Sequence, residues 1–292
     1  MNFFEKYGPS ARDCYHSCEA DSLEIYESHV RNRVNEMGWG LITELLIRHP
    51  AETEEKEGSH RVVLVEPQLH NRALPRATIV TKTICQLLWD RDSKEQWQNH
   101  YHLFKTLHAE PNAKGFWGTI FEPGFHQLCV RGAKFNIFPM TESRRERPRN
   151  YKFTNDQLDN PETLTLDKPK QIYFDRDNPI DSLLDGHYYR PRALNNPSFD
   201  SFVYNTCSRR ISAFQVTVAE EHGLASRGVY ALRDLGETLQ INGLKIRFIV
   251  VVFGDSKVTF TVDKKLYDDL GLEVWALGLT EKEIYPQLFL SP

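Results

Sequence analysis

The sequence predicts an α/β protein in which a mainly helical N-terminal region, residues 1–110, is followed by a mixed-sheet domain over residues 111–292. Three observations carry this. Apolar residues recur at helical spacing through the first third of the chain, and short aromatic and β-branched runs take over from Phe135. Between Phe199 and Phe253 the order is strand, strand, helix, strand, which suits a mixed sheet. At 292 residues, with 40% hydrophobic and 12% aromatic content, the chain can bury a core of one large or two ordinary domains.

Taken in order, Leu23, Ile25, Tyr26, Val30 and Val34 predict a helix over 21–37, with Asp21 or Ser22 as its cap. A second helix is expected over 41–47. The acidic run Glu52 to Glu57 reads as a solvated loop before a short strand, Arg61 to Val65. Helical patterns return over 77–89 and 94–107. A further helix over 113–129 contains Pro123 and Gly124, which should break or kink it. In the second part the clearest strands are 199–204, 211–218 and 245–253, with a helix over 225–235. The stretches 143–152, rich in arginine, and 155–169, rich in Asn, Asp and Pro, read as polar connections.

Bulk charge narrows the function. A net charge of -4 excludes a protein that coats nucleic acid along a broad basic surface, so any nucleic-acid contact is local. The five cysteines, at 14, 18, 85, 129 and 207, are scattered and odd in number, as expected of free thiols in a reducing compartment. The start of the chain lacks a basic segment followed by an apolar run, and no apolar stretch reaches the roughly 20 residues that span a bilayer. The expectation is an intracellular protein without a signal peptide or membrane partner.

The chemistry concentrates in one hairpin. Asn205-Thr-Cys-Ser208 forms the turn, so that facing residues carry numbers summing to 415 and Asp200 faces Gln215. Alternation then sets Asp200, Gln215 and Thr217 on one face, with Phe214, Val216 and Val218 on the other. A carboxylate and an amide oxygen are hard ligands that suit Mg²⁺, which keeps several waters and needs few protein carboxylates. Read alone, Asp200 can equally cap a strand, and His222 can be a satisfied loop histidine. Arg144, Arg145, Arg147, Arg149 and Lys152 read as a solvated loop, whereas Arg209 and Arg210 beside the hairpin are better placed to meet a phosphate backbone. Cys14-Tyr-His-Ser-Cys18 lacks a second ligand pair for zinc, and His100 and His102 diverge on a helix.

The segments Gly118-Thr-Ile-Phe-Glu122, Tyr188-Tyr-Arg-Pro191, Asn196-Pro-Ser-Phe-Asp-Ser-Phe-Val-Tyr204 and Phe214-Gln-Val-Thr217, followed by His222, resemble the C-terminal module of Crinkler/RHS-type (retrotransposon hot spot-like) proteins. That family belongs to the PD-(D/E)xK restriction-endonuclease-like superfamily, and the similarity covers roughly residues 112–292. The resemblance implies a restriction-endonuclease-like core in which Glu122, Asp200 and Gln215 hold Mg²⁺. Thr217 takes the position of the superfamily's lysine, and His222 assists. It also implies a metal-dependent nuclease acting on DNA phosphodiester bonds, in an effector or transposon-associated protein of the nucleus. The alternative is a catalytically inactive module that keeps the fold and binds DNA or a protein partner. Gly8-Pro-Ser-Ala-Arg12 and the helices after it resemble the lid of an AAA-like NTPase, and Ser59 to Val65 resembles its connector. No Gly-x-x-x-x-Gly-Lys-Ser/Thr loop occurs, so no nucleotide cofactor is expected, and the resemblance implies a truncated remnant of the NTPase.

Overall fold

The structure, a computed structural model, describes residues 7–8, 20–37, 41–42, 62–67, 75–79, 81, scattered positions from 84 to 108, and 114–289 except 144–148, 157–158, 176–177, 193–195 and 197. The chain divides into two compact units, Met1–Pro123 and Gly124–Pro292. That division falls later than the boundary at 110/111 expected from the sequence.

In the first unit, helix α1 (Ala20–Glu36) forms where the apolar spacing requires it, burying Tyr26, Val30 and Val34. Strand β1 (Val63–Pro67) pairs antiparallel with β2 (Pro75–Ile79) in a two-stranded sheet. Here the sequence expectation is corrected: Ala77 to Ile79 begin no helix but complete a hairpin. Their neighbours Val63 to Val65 offer a backbone partner that outweighs weak helical periodicity. Most of the helices expected over 41–47, 77–89 and 94–107 lies outside the described residues.

Helix α2 (Lys114–Arg131) runs unbroken through Pro123, against the expected break. Proline costs the helix one backbone bond and a clash with the preceding turn. Burial compensates on both sides of it: Trp117 stacks on Phe121 with centroids 5.4 Å apart, and Phe125 meets Phe214 edge-on at 5.2 Å. Aromatic burial of this size stabilises by several kcal/mol, about the cost of the proline.

The second unit is built on an eight-stranded mixed sheet. Its strands are β3 (Ala133–Pro139), β6 (Glu162–Leu166), β7 (Lys170–Phe174), β8 (His187–Pro191), β9 (Ser201–Asn205), β10 (Arg210–Val216), β12 (Lys245–Phe253) and β14 (Glu273–Leu279). They lie in the order β6-β3-β14-β12-β10-β9-β8-β7. The centre is parallel, β10 beside β12 and β12 beside β14. Antiparallel pairs flank it on both sides, β9 beside β10 and β3 beside β14. Strand β12 reads Lys-Ile-Arg-Phe-Ile-Val-Val-Val-Phe and is buried along nearly its whole length, as a central parallel strand must be.

A second, four-stranded sheet has the order β11-β13-β5-β4, from β4 (Thr141–Glu142), β5 (Asn150–Thr154), β11 (Glu221–Gly223) and β13 (Thr259–Asp263). Stretches expected to be polar connections therefore contain β5 and β6. Helix α3 (Ser226–Thr238) connects β11 to β12, and α4 (Lys264–Leu270) follows β13. The short helices α5 (Glu281–Ile284) and α6 (Pro286–Phe289) close the described chain.

One contiguous core joins the two sheets. It contains Phe202 and Ala213 of the hairpin, Phe248 and Val250 of β12, Val229 and Leu232 of α3, Phe153 of β5 and Phe260 of β13. Strand alternation sends Phe214 to the opposite face, where the C-terminal half of α2 covers it through Phe125. The hairpin is thus buried on both faces, which leaves only its two ends to carry exposed chemistry.

Candidate active site

The register of the hairpin is the one its turn dictates. Arg210 pairs with Asn205, Ile211 with Tyr204 and Phe214 with Ser201, each pair summing to 415. Local chemistry fixes the turn, because the Asn205 carboxamide oxygen accepts both the backbone N–H and the hydroxyl of Ser208 at 2.8 Å. Arg209 takes a positive φ of 49° there, with its guanidinium on the Asn242 carbonyl at 3.1 Å.

At the other end the same register brings Asp200 beside Gln215. The Asp200 amide donates to the Phe214 carbonyl at 2.8 Å. Its carboxylate oxygen Oδ2 accepts the Val216 N–H at 2.7 Å and Gln215 Nε2 at 3.1 Å. An ionised carboxylate only accepts, so the bond to Asp200 orients the Gln215 amide with its nitrogen inward. The consequence is an orphan: Gln215 Oε1 is buried with no hydrogen-bond partner, in a residue only 7% exposed. A buried amide oxygen without a partner costs about 1–3 kcal/mol. A buried orphan of this kind marks a site for a cation or an ordered water.

Thr217 lies two residues on, also buried. Its amide continues the ladder to the Val251 carbonyl at 3.0 Å, and its hydroxyl oxygen accepts the Ala219 N–H at 3.1 Å. His222 belongs to β11 of the smaller sheet, where its ring stacks on Phe260 at 5.9 Å. Burial lowers its pKa below 6.5, favouring the neutral imidazole. Glu122 stands half-buried on α2 in the first unit, whereas Asp200, Gln215, Thr217 and His222 all belong to the second. The structure therefore joins Asp200 to Gln215 directly and places His222 on a different sheet.

Arg210 is turned to a structural task. It meets Glu273 at 3.3 Å and Glu162 at 3.8 Å. The same two carboxylates hold Arg247, which is 1% exposed, through bonds to both Glu162 oxygens at 2.8 and 2.7 Å and to Glu273 at 3.1 Å. The Arg247 guanidinium also lies over the Trp275 ring, 4.4 Å from its centroid. Bonding to Arg247 holds the Glu162 carboxyl below its ordinary pKa. A lone arginine inside the apolar run of β12 was the sequence signal for this cluster, since a buried guanidinium demands partners.

Beneath Phe214 lies a polar chain that sequence reasoning missed. The Tyr188 hydroxyl bonds His126 Nδ1 and Ser201 Oγ, each at 2.7 Å, and all three residues are buried. Burial pushes both the Tyr188 hydroxyl and the neighbouring Cys129 thiol upward in pKa, so neither ionises near neutrality.

Among the described residues no three His, Cys, Asp or Glu side chains gather as a metal-holding group. The hairpin end contributes one carboxylate and one buried amide oxygen instead. This donor set fits Mg²⁺, which takes oxygen ligands, commonly binds through one or two carboxylates and fills its remaining positions with water.

Fold and site together define an α/β protein with a mixed sheet and a polar hairpin end among its inner strands. Comparison of the chain with protein-family models, with curated proteins and with solved structures found no match to any of them. Among the described residues no helix is long and apolar enough to cross a membrane.

Proposed function

We propose that the Asp200 end of the hairpin is a divalent-cation site for cleavage of DNA phosphodiester bonds, in a nuclease-like protein of the Crinkler/RHS type. The single observation that carries the reading is the buried, unpartnered Oε1 of Gln215 beside the Asp200 carboxylate. An oxygen kept dry and unsatisfied costs stability, and a cation held by Gln215 and Asp200 would offset that cost. The order along the chain supports the same reading, with Glu122 on a helix, then Asp200 immediately before β9, then Gln215 on β10 beside its parallel partner β12, and Thr217 just past the end of β10.

When bound, Mg²⁺ supplies the charge that acidifies an attacking water and neutralises the phosphate. The residues of the chain provide the geometry. Val216 N–H holds the carboxylate of Asp200 in place, and Gln215 presents its neutral oxygen. The Thr217 hydroxyl, accepting from Ala219, keeps its proton for donation where the superfamily has a lysine. The resemblance implies Glu122 as a second carboxylate and an assisting role for His222. DNA contact rests on Arg209, exposed at the turn, more than on Arg210, whose guanidinium is committed to Glu273 and Glu162. A nuclear location follows from the same resemblance.

The decisive test is Mg²⁺-dependent relaxation of supercoiled plasmid by the wild-type chain, abolished in Asp200→Ala. Equal cleavage by the two proteins sinks the proposal. One observation favours a second reading, a catalytically inactive module that binds DNA or a protein partner: Thr217 brings no positive charge to the lysine position. DNA binding that is independent of Mg²⁺ and unaccompanied by cleavage is its expected signature.

A further inference from the structure

We infer that Ser198 and Gly228 form a lock between helix α3 and the hairpin that positions the Asp200 carboxylate; the functional meaning of this lock rests on the reading of Asp200 as a site residue. Helix α3 is preceded at its N-cap by Ala225, whose backbone is extended and whose side chain makes no capping bond. Ser198 supplies that cap from another part of the chain. Its hydroxyl oxygen accepts the Gly228 N–H at 3.1 Å, an amide that also reaches the Ala225 carbonyl at 3.3 Å. The same hydroxyl donates to the Ala225 carbonyl, so both of its hydrogen-bonding roles are spent on the first turn of the helix.

The fit leaves no slack. Ser198 is 1% exposed, and a Cβ placed on Gly228 would stand 2.3 Å from both Cβ and Oγ of Ser198. Only glycine at 228 lets the helix approach this closely. From Ser198 the chain reaches Asp200 in two residues, and each step is pinned. Phe199 is buried edge-on against Phe202 at 5.8 Å, and the Asp200 amide is bonded to Phe214. With the backbone fixed at 198, 199 and 200, the carboxylate keeps only its own side-chain rotations. Those are taken up by its bonds to Val216 N–H and Gln215 Nε2. The helix end is therefore coupled to the carboxylate through three residues, and Ser198 is a positioning residue for Asp200.

The experiment is amide hydrogen exchange by NMR on the full chain, comparing wild type with Ser198→Ala and Gly228→Ala. The Val216 amide reports the carboxylate, because Asp200 Oδ2 is its acceptor. In Ser198→Ala the Gly228 and Val216 amides should both exchange roughly tenfold faster, the scale of one lost hydrogen bond, while Phe260 in β13 keeps its protection. Gly228→Ala, which intrudes on Ser198 from the opposite side, should release Val216 in the same way and guards against a Ser198 variant that does not fold. Release of Gly228 with Val216 still protected overturns the lock, and so does uniform acceleration across β9, β10 and β13, which marks global destabilisation. Failure of the nuclease reading shows separately. A wild type that neither binds Mg²⁺ nor cleaves DNA ends that reading, while release of Val216 in Ser198→Ala still establishes the lock.

Discussion

The two ends of the β9–β10 hairpin hold polar clusters of opposite character. At the turn end, Arg210 and Arg247 share Glu162 and Glu273, two cations on two anions, and the Arg247 guanidinium also lies over the Trp275 ring. At the far end, Asp200 and Gln215 satisfy each other only in part, and one buried amide oxygen is left over. Both clusters draw on strand β10, with Arg210 at its start and Gln215 next to its end. The difference lies in charge balance and in what is left over. The turn end sets two cations against two anions and leaves one donor, Arg210 Nε, without a partner, whereas the far end leaves an acceptor, Gln215 Oε1, beside a carboxylate. A charge-balanced cluster serves the fold, whereas an unpartnered acceptor beside a carboxylate keeps a cost that a cation can offset.

The largest effect expected from breaking this contrast is at Arg247. Arg247→Met removes the cation that both carboxylates share and should lower unfolding free energy by about 3 kcal/mol in urea titration. That is the low end of the range for breaking a buried pair, because Glu162 and Glu273 remain 43% and 32% exposed and can rehydrate. A loss below 1 kcal/mol would mean that the ion pairs of the turn end do not form in solution and that the contrast between the two ends is false.

Next in size is a change that sharpens the open end. Gln215→Glu sets a second carboxylate against Asp200, and like charges at this distance disfavour each other. Without metal the variant should be less stable than wild type by about 1–2 kcal/mol, read as a lower melting temperature. Added Mg²⁺ should restore most of that loss and raise wild type less. Mg²⁺ that leaves both melting temperatures unchanged argues that the open oxygen is met by water and not by a cation.

How much of this was legible in the sequence follows the range of the interactions. The hairpin register could be read because it depends on a four-residue turn with an Asn to cap it and on strict alternation beyond it. The order β9, β10, α3, β12 was legible for the same local reason. Pairing of β14 with β3 and of β3 with β6 was not, since nothing near those strands specifies partners more than a hundred residues away in the first case. Pro123 misled because helix breaking is a local rule, while Phe121 and Phe125 are held by tertiary burial. In the site, Asp200 and Gln215 were visible as a facing pair, but the direction of the Gln215 amide, and hence its orphan oxygen, follows only from the bond to Asp200. Ser198 gave no warning at all, because its partner Gly228 belongs to a helix 30 residues on.

A smaller and pH-dependent effect tests how the turn-end cluster is held. The Glu162 carboxyl is depressed first by its bonds to Arg247 and then by the nearby charges of Arg247 and Arg210. A depressed folded-state pKa stabilises above the unfolded value of about 4.5 and is lost as pH falls through the folded value. Glu162→Gln should therefore lose stability at neutral pH by no more than about 1 kcal/mol, given the exposure of the side chain. The difference between variant and wild type should shrink below pH 4.5. An equal difference at pH 7 and pH 3 would show that hydrogen-bond geometry, not charge, ties Glu162 to Arg247.

The smallest effect concerns His222, which the sequence assigned to the open end and which the fold mounts on the other sheet, over Phe260. Its pKa is lowered by burial, so above 6.5 the ring is neutral whether the chain is folded or not, and the group is without influence. As pH falls below 6.5 the unfolded chain takes up the proton first, and the folded state loses stability until its own lower pKa is passed. His222→Phe should thus match wild type in melting temperature at pH 8 and exceed it slightly at pH 5. Plasmid cleavage separates packing from catalysis: a packing residue leaves the Mg²⁺ dependence of cleavage unchanged when replaced by Phe. A loss of cleavage at pH 8, where stability is equal, would instead tie the smaller sheet to the chemistry of Asp200 and make the open cluster larger than the hairpin.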